Sequence, residues 1–370
     1  MKNISLILTS GIYPPDKGGP AFFVSDFSRW LSSKSITTRV VSLKDGPCTK
    51  EILSNSEVLL TSRDKLLRFR MLSSIRAIAT GTRVTKVILM NGLFLEVLIA
   101  SFFGRSRIIA KIPGDIVWER ARNQGKTNLS IDEYQGNERG SKRIFRFFFS
   151  QSLKRAEFVI APSLHLKSLL LNWGIKSERV VLVRNSVDTN FFAPSSDKEK
   201  KYDVITVCRL VPWKGVEEII RECARQGLSL AVVGDGPDGQ RLKDIASQAH
   251  ARVDFFGNCP HTELPPLLNS ARIFVLNSQY EGSPHSLIEA MSVGLFSIAH
   301  ASTGSIEVIK DKVNGLLCGQ QRSLGEALSL AMTDLDLYRA VSLNARKSAL
   351  LNFDREKNFE QILKVIEGSL

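Results

Sequence analysis

Short apolar runs alternate with longer stretches in which apolar positions recur every three or four residues. The runs at 4–8, 38–42, 86–90, 107–111, 158–161 and 180–183 read as strands, as do those at 203–207, 229–233, 253–256, 273–276 and 296–299. Helical spacing falls between most of them, for example over 22–32, 216–226 and 240–249. Strand–helix alternation predicts α/β architecture, with parallel sheets covered on both faces. The rhythm breaks over 189–202, where Ser195-Ser-Asp-Lys-Glu-Lys-Lys reads as a linker. The pattern thus predicts two doubly wound, Rossmann-like domains, with ligands bound beyond the carboxyl ends of the strands, in a cleft between them.

Composition narrows the class. The 370 residues are 43% hydrophobic and 24% charged, a globular balance long enough for two domains. The opening apolar run is too short for a secretory signal, and the stretch 92–104 is interrupted by Glu96 and falls short of a membrane span. The expected location is cytoplasmic. The five cysteines form no CxxC pair, which predicts buried free thiols in a reducing compartment and no structural zinc. Charge is uneven: residues 1–190 carry 30 Lys and Arg against 15 Asp and Glu, whereas 191–370 carry 20 against 22. A basic half points to an anionic partner. It contains the runs 63–76 and 139–155, in which arginines are interleaved with phenylalanines. Phe145, Phe148 and Phe149 are expected to bury against the sheet, which leaves the arginines unexplained. Docking on an anionic membrane surface, as a peripheral protein on the inner face, would use them. No nucleic-acid recognition module is present.

Candidate chemistry gathers in the second half. In Glu281-Gly-Ser-Pro-His-Ser-Leu-Ile-Glu289, Ser283 suits an N-cap and Pro284 a first helical position, so Glu281 precedes a helix and Glu289 lies within it. His285, Ser286 and Glu289 share one face, and Leu287, Ile288 and Met291 the other. A helix start with free N–H groups suits a phosphate, although a capped surface helix with a solvated Glu explains the segment equally well. Cys208-Arg-Leu-Val-Pro-Trp-Lys-Gly215 places Arg209 and Lys214 between a strand and a helix, where cations suit a diphosphate. Gly234-Asp-Gly-Pro-Asp-Gly239 matches GxGxxG, but it does not follow the first strand of its domain. It reads as a glycine turn that lets a nucleotide approach the backbone, with Gly234 and Gly236 in that role. Asp334-Leu-Asp336 has the form of a metal-binding DxD, yet acids in a first helical turn account for it. No metal and no cofactor are expected.

Together these residues resemble family 4 of the retaining GT-B glycosyltransferases, also called glycosyl transferase group 1. Glu281 and Glu289, followed by Ala290-Met291 and Gly294, match its E-x7-E motif, and Arg209 with Lys214 matches its Arg-Leu-x-x-x-Lys-Gly element. Gly234–Pro237, Phe256-Gly257, Thr303-Gly-Ser-Ile-Glu307, the loop Tyr13-Pro-Pro-Asp-Lys-Gly-Gly19 and Asn185-Ser-Val-Asp188 with Phe192 resemble further landmarks. The resemblance implies an acceptor-binding domain over 1–190, a nucleotide-sugar domain over 191–352, and a helix over 353–370 crossing back to the first. It implies retaining, metal-independent transfer from a UDP- or GDP-sugar to a glycan or lipid-linked acceptor, in cell-surface polysaccharide or glycolipid synthesis. Arg209 and Lys214 would hold the diphosphate, Glu281 the sugar and Glu289 the ribose, while Gly18, Gly19, Gly257, Ser283, His285 and Ser286 would line the donor site. The sequence departs from the family at Cys208, Ser186 and Ser283-Pro-His285. It also places Asp115 where many members have a histidine, so Asp115 either orients a substrate hydroxyl or is a turn residue after Gly114. A GT-B epimerase or phosphorylase, a catalytically dead binding protein, and an NAD-dependent oxidoreductase using Gly234–Gly239 are the rival classes.

Overall fold

A computed structural model describes residues 5–16, 18–53, 55–82, 85–195 and 199–368. Ile4 of the first predicted strand, Lys17 of the glycine loop and residues 196–198 of the predicted linker lie outside them. The chain divides into two compact units, one of residues 1–183 with 359–370 and the other of residues 184–358.

The first unit runs β1 (Leu6–Thr9), α1 (Gly19–Ser33), β2 (Thr38–Lys44), β3 (Thr49–Leu53), β4 (Ser56–Ser62), α2 (Leu67–Thr82), β5 (Val87–Met90), α3 (Phe94–Ala100), β6 (Arg107–Lys111), α4 (Ile116–Asn123), α5 (Ile131–Tyr134), α6 (Ser141–Arg155), β7 (Phe158–Ala161), α7 (Leu164–Asn172) and β8 (Val180–Leu182). Its strands order as β3-β4-β2-β1-β5-β6-β7-β8, all parallel except β3, which turns back antiparallel on β4. The β3–β4 hairpin is absent from the predicted strands: Thr49–Leu53 lies at the sheet edge with four of its five residues exposed and has no apolar run to signal it, whereas the mostly buried β4 carries one at Val58–Leu60 that the strand reading omits. Leu6, Leu8, Val40, Leu89 and Ile109 face one side, packed with Phe27 of α1 and with Phe359, Ile362 and Val365 near the chain's end. Phe359 meets the Phe27 ring edge-on at 5.0 Å.

The second unit runs β9 (Tyr202–Val207), α8 (Val216–Arg225), β10 (Leu230–Val233), α9 (Gly239–Gln248), β11 (Val253–Gly257), α10 (Leu264–Asn269), β12 (Ala271–Leu276), α11 (His285–Ser292), β13 (Phe296–His300), β14 (Leu316–Cys318), α12 (Leu324–Thr333) and α13 (Leu335–Asn352). A last helix, α14 (Arg355–Glu367), begins here and continues into the residues of the first unit. The sheet is fully parallel, ordered β11-β10-β9-β12-β13-β14. Both faces are buried: Ile205, Ala231 and Phe274 pack with Leu287, Ile288 and Met291 on one side, while Val204, Val232 and Ile273 pack with Ile219, Ile220 and Leu242 on the other. Burial on two faces is why these strands read as unbroken apolar runs rather than alternating ones.

Three sequence expectations change. Only Cys223 and Cys318 of the five free thiols are buried, and Cys48 is exposed. Of the α6 phenylalanines expected inside, Phe149 is buried and Phe145 half-buried, but Phe148 is 40% exposed. One helical face cannot hold both 148 and 149 under a sheet, since consecutive residues lie about 100° apart around the axis. Asp334 caps α13 by accepting from the Leu337 N–H at 2.9 Å, a cap role in place of a first-turn one.

Candidate functional site

Strand order decides where the chemistry collects. In the second unit β9 has β10 on one side and β12 on the other, so the connections leaving β9 and β12 diverge at the carboxyl ends of these two neighbours. Such a switch point opens a crevice there. The loop after β9 carries Arg209 and Lys214, and the loop after β12 carries Glu281.

The backbone locks these loops together. Val211 leads into a tight turn at Pro212–Lys214 that ends on Gly215 at φ +64°. A Cβ on Gly215 would stand 2.5 Å from the Asn277 carbonyl oxygen, so only glycine lets the two loops approach this closely. The Gln279 N–H donates to the Trp213 carbonyl at 3.0 Å, and Asn277 Nδ2 donates to the Gly215 carbonyl and to Glu218. Held this way, Lys214 Nζ reaches Glu281 Oε1 at 2.5 Å, with both side chains nearly buried and the ammonium also over the Trp213 ring. From β13, Thr303 Oγ1 donates to the Glu281 carbonyl at 3.2 Å. Glu281 is therefore fixed by three strand ends at once. Arg209 differs: it is exposed, its carbonyl accepts from the Val211 N–H at 3.0 Å, and its guanidinium makes no hydrogen bond or ion pair among the described residues. An unpaired guanidinium on the same loop as a fixed Lys–Glu pair suits a dianionic group.

The helix after Glu281 starts one residue later than the sequence implies. Pro284, not Ser283, is the N-cap of α11: its ψ of 104° is extended, and its carbonyl accepts the first helical bond from Ile288. The Ser283 carbonyl instead accepts from Asn185 Nδ2 at 3.2 Å. No side-chain hydrogen bond caps α11 at Pro284, and the positive end of a helix of this kind favours an anion. Leu287, Ile288 and Met291 are fully buried, while His285, Ser286 and Glu289 are partly exposed, the division expected from their spacing. Glu289 Oε1 lies 3.2 Å from His261 Nε2, and that imidazole stacks on the Phe191 ring. His261 was not singled out by sequence reasoning, because its link to Glu289 is made across the fold.

The glycine turn after β10 has a cause within the protein. A Cβ on Gly234, at φ +132°, would stand 1.9 Å from the Cys208 carbonyl oxygen, and one on Gly236 would stand 2.2 Å from that of Leu210. The turn lies directly on the Cys208–Leu210 loop, with Leu210 N–H donating to the Asp235 carbonyl at 3.0 Å. These glycines are thereby accounted for without a dinucleotide. Gly257, at φ +60°, closes β11 with nothing within 4 Å of its Cβ position. Beside Lys214 and Glu281, desolvation pushes the Cys208 thiol up to about 11, so it stays protonated at neutral pH and is no nucleophile.

Three candidates belong to the first unit. Gly18, at φ +147°, is the N-cap of α1, and Gly19 is that helix's first residue. Asp115 is fully buried: one oxygen accepts from the Val117 and Trp118 N–H groups at the start of α4, and the other accepts from Arg146 at 2.6 Å and Gln135 at 2.9 Å. The turn reading of Asp115 therefore has a physical form, a helix cap closed by an ion pair, and no oxygen of it is left at the surface. Lys111, also missed, is 3% exposed over the Phe23 ring at 4.4 Å, and desolvation lowers its ammonium to about 8.

Among the described residues no group of three or more His, Cys, Asp and Glu side chains could hold a metal ion. Among the described residues, no helix is long and apolar enough to cross a membrane.

Residues 187–348 match the glycosyl transferases group 1 family. Over 99% of both chains, the protein is 23% identical to an uncharacterized glycosyltransferase of Methanocaldococcus jannaschii. It is 24% identical to the N,N'-diacetylbacillosaminyl-diphospho-undecaprenol alpha-1,3-N-acetylgalactosaminyltransferase of Campylobacter jejuni, over 70% of this chain and 71% of that one. Its fold superposes on Anabaena HepE, solved in complex with UDP and glucose, with a TM-score of 0.80, 18% identity, and coverage of 99% and 100%. The family match falls on the unit that carries Arg209, Lys214, Glu281 and Glu289, and the likeness in fold extends over the whole chain. Residues 187–348 are thus similar to the glycosyl transferases group 1 family, in a chain whose fold is GT-B.

Proposed function

We propose that the protein moves a sugar, with retention, from a nucleotide-sugar to a glycan or lipid-linked acceptor in cell-surface polysaccharide or glycolipid synthesis. The observation that carries this reading is the Lys214–Glu281 pair at the β9/β12 switch point, with the Arg209 guanidinium unpaired among the described residues on the same loop as Lys214. Arg209 and Lys214 bind the diphosphate and stabilise the negative charge that grows on it as the bond from the sugar C1 to phosphate oxygen breaks. The start of α11, with no side-chain cap, adds its positive dipole end to the same task. Glu281, released from Lys214 as phosphate replaces it, accepts from sugar hydroxyls, and Glu289 accepts from the ribose hydroxyls. A new C1–O bond to the acceptor forms on the face the phosphate leaves, and the departing phosphate takes the acceptor's proton. With two cations supplying the charge, no metal is required.

UDP is the favoured donor nucleotide, since HepE is a neighbour in fold and was solved with UDP and glucose. A lipid-linked acceptor has its support in the undecaprenol-linked substrate named for the Campylobacter relative. In the first unit, Gly18 and Gly19 at the start of α1 admit substrate close to the backbone, and Asp115 acts as a positioning residue through Arg146.

The test is release of nucleoside diphosphate from a panel of UDP-, GDP- and ADP-sugars, with and without lipid-linked and polysaccharide acceptors, in the presence and absence of chelator. Release that requires acceptor and ignores chelator is expected. Release at the same rate without acceptor would favour the epimerase reading, and loss of activity with chelator would remove the metal-independent mechanism.

A further inference from the structure

The geometry points to a membrane-docking face on the first unit, formed by the outer surfaces of α2, α3 with the turn Ser101–Phe103, and α6, that binds the anionic leaflet of a lipid bilayer. α3 packs between α2 and α6, so the three form one layer on the sheet. Phe94 of α3 meets Phe149 of α6 edge-on at 4.8 Å. The buried side of this layer holds Ile78, Val97, Phe149 and Leu153. Its outer side is also apolar. Leu66, Phe69 and Leu72 at the start of α2, Phe102 and Phe103 after α3, and Ile144, Phe147 and Phe148 on α6 are all 40% exposed or more.

Charge says what covers this surface. α2 and α6 together carry eight Lys and Arg and no Asp or Glu. On α6, exposed Arg143, Lys154 and Arg155 share the outer face with Ile144, Phe147 and Phe148 and flank them on both sides. Arg155 lies over the exposed Phe102 ring at 5.9 Å, and Arg68 over Phe69 at 4.8 Å, so cations border the apolar residues on all three elements. Beside Arg155, a recess of about 310 Å³ is also lined by Arg179 and by Arg107, which is paired with Glu157 of the same wall. Exposed aromatics bordered by cations, of which Arg143, Lys154 and Arg155 have no ion pair among the described residues, match the boundary between acyl chains and anionic headgroups. An acidic protein surface would not take up so many exposed aromatic rings, and a nucleic acid would need stacking or groove geometry that these helices do not provide. The inference does not depend on the transferase reading, and failure of either leaves the other standing.

The test is flotation of the full chain with phosphatidylcholine vesicles, with and without phosphatidylglycerol, at low and high salt. Flotation with the anionic vesicles only, weakened by salt, is expected. Arg143→Ser and Arg155→Ser should each weaken it about fivefold. The triple change Ile144→Ser, Phe147→Ser, Phe148→Ser should abolish it without altering the circular dichroism spectrum, because all three side chains are exposed. Leu351→Ser, which removes an equally exposed leucine in the second unit, should float as the unchanged protein does. Equal binding to neutral vesicles would overturn the inference. So would flotation of the triple variant, or self-association or RNA binding that uses these residues while vesicles are ignored.

Discussion

Replacing the Lys214–Glu281 pair one partner at a time, and then together, separates what it does for the fold from what it does for chemistry. At 2.5 Å and an effective dielectric of about 20, the attraction is on the order of 6 kcal/mol. Both side chains are close to nine-tenths buried, and desolvating two ions cancels several kcal/mol of that attraction. The pair is then nearly neutral for stability, but each single truncation leaves an uncompensated buried charge. Glu281→Leu and Lys214→Met should each cost about 3–5 kcal/mol, whereas the double variant should return to within about 1 kcal/mol of the starting protein. Urea denaturation of the four proteins gives the cycle, and acceptor-dependent release of UDP gives the activity. All three variants should lose transfer, including the stable double one, because each removes a cation from the phosphate, the acceptor group from the sugar, or both. A double variant that keeps transfer would show the pair to be structural only. Costs that simply add would show that the two groups do not act as a pair.

Further outcomes follow from other groups. Lys111 has its ammonium lowered to about 8 from 10.5, a difference worth about 3 kcal/mol. A base with a depressed folded value destabilises at every pH below about 8, and the penalty lifts as pH rises towards 10.5, since the unfolded chain binds more protons in that interval. Lys111→Met should therefore unfold later than the unchanged protein at pH 7 and lose that advantage by pH 10; an equal advantage at both would refute the cause. Gly234→Ala must fit a methyl against the Cys208 carbonyl oxygen at φ +132°, and should cost at least about 2 kcal/mol in denaturation while weakening UDP binding. His261→Ala frees Glu289 from its imidazole and should raise the donor KM about fivefold with little change in kcat, a split that steady-state kinetics can read. Asp115→Ala removes one of the two carboxylates on the nearly buried Arg146, with Glu138 still paired to it, and the acceptor that caps α4, and should cost about 2–4 kcal/mol. Asp115→Asn, which keeps the cap acceptor, should cost less than the Ala change but still destabilise, and no loss at all in Asp115→Asn would argue against the ion pair.

Much of this was legible along the chain because its signals are local. Parallel strands buried on both faces produce apolar runs, and E-x7-E sets Glu281 and Glu289 at a fixed distance around a helix start. Contacts between distant segments left no such mark. Nothing adjacent in sequence links His261 to Glu289, or Asn185 to the Ser283 carbonyl whose engagement moves the helix start to Pro284. Likewise, GxGxxG shows that Gly234 and Gly236 are glycines but not why. The reason is the backbone of residues 208–210, which lies on the neighbouring strand's loop. Edge strand β3 escaped because exposure on both sides removes the apolar signal on which strand reading depends.

Charge, too, has to be divided by direction before it means anything. The basic run of α6 reads in sequence as one feature, yet the helix splits it. Arg146 turns inward, 12% exposed, where it binds Asp115 and Glu138 and covers the Trp173 ring. Arg143, Lys154 and Arg155 turn outward with Ile144, Phe147 and Phe148. The inward arginine ties α6 to the loop after β6 through a carboxylate that also caps α4. That bond fixes how the helix is rotated, and so which residues face solvent. Asp115 and the outer cations are thus two ends of one arrangement. Loosening the first by Asp115→Ala should also weaken anionic-vesicle binding, although Asp115 itself is out of reach of any lipid.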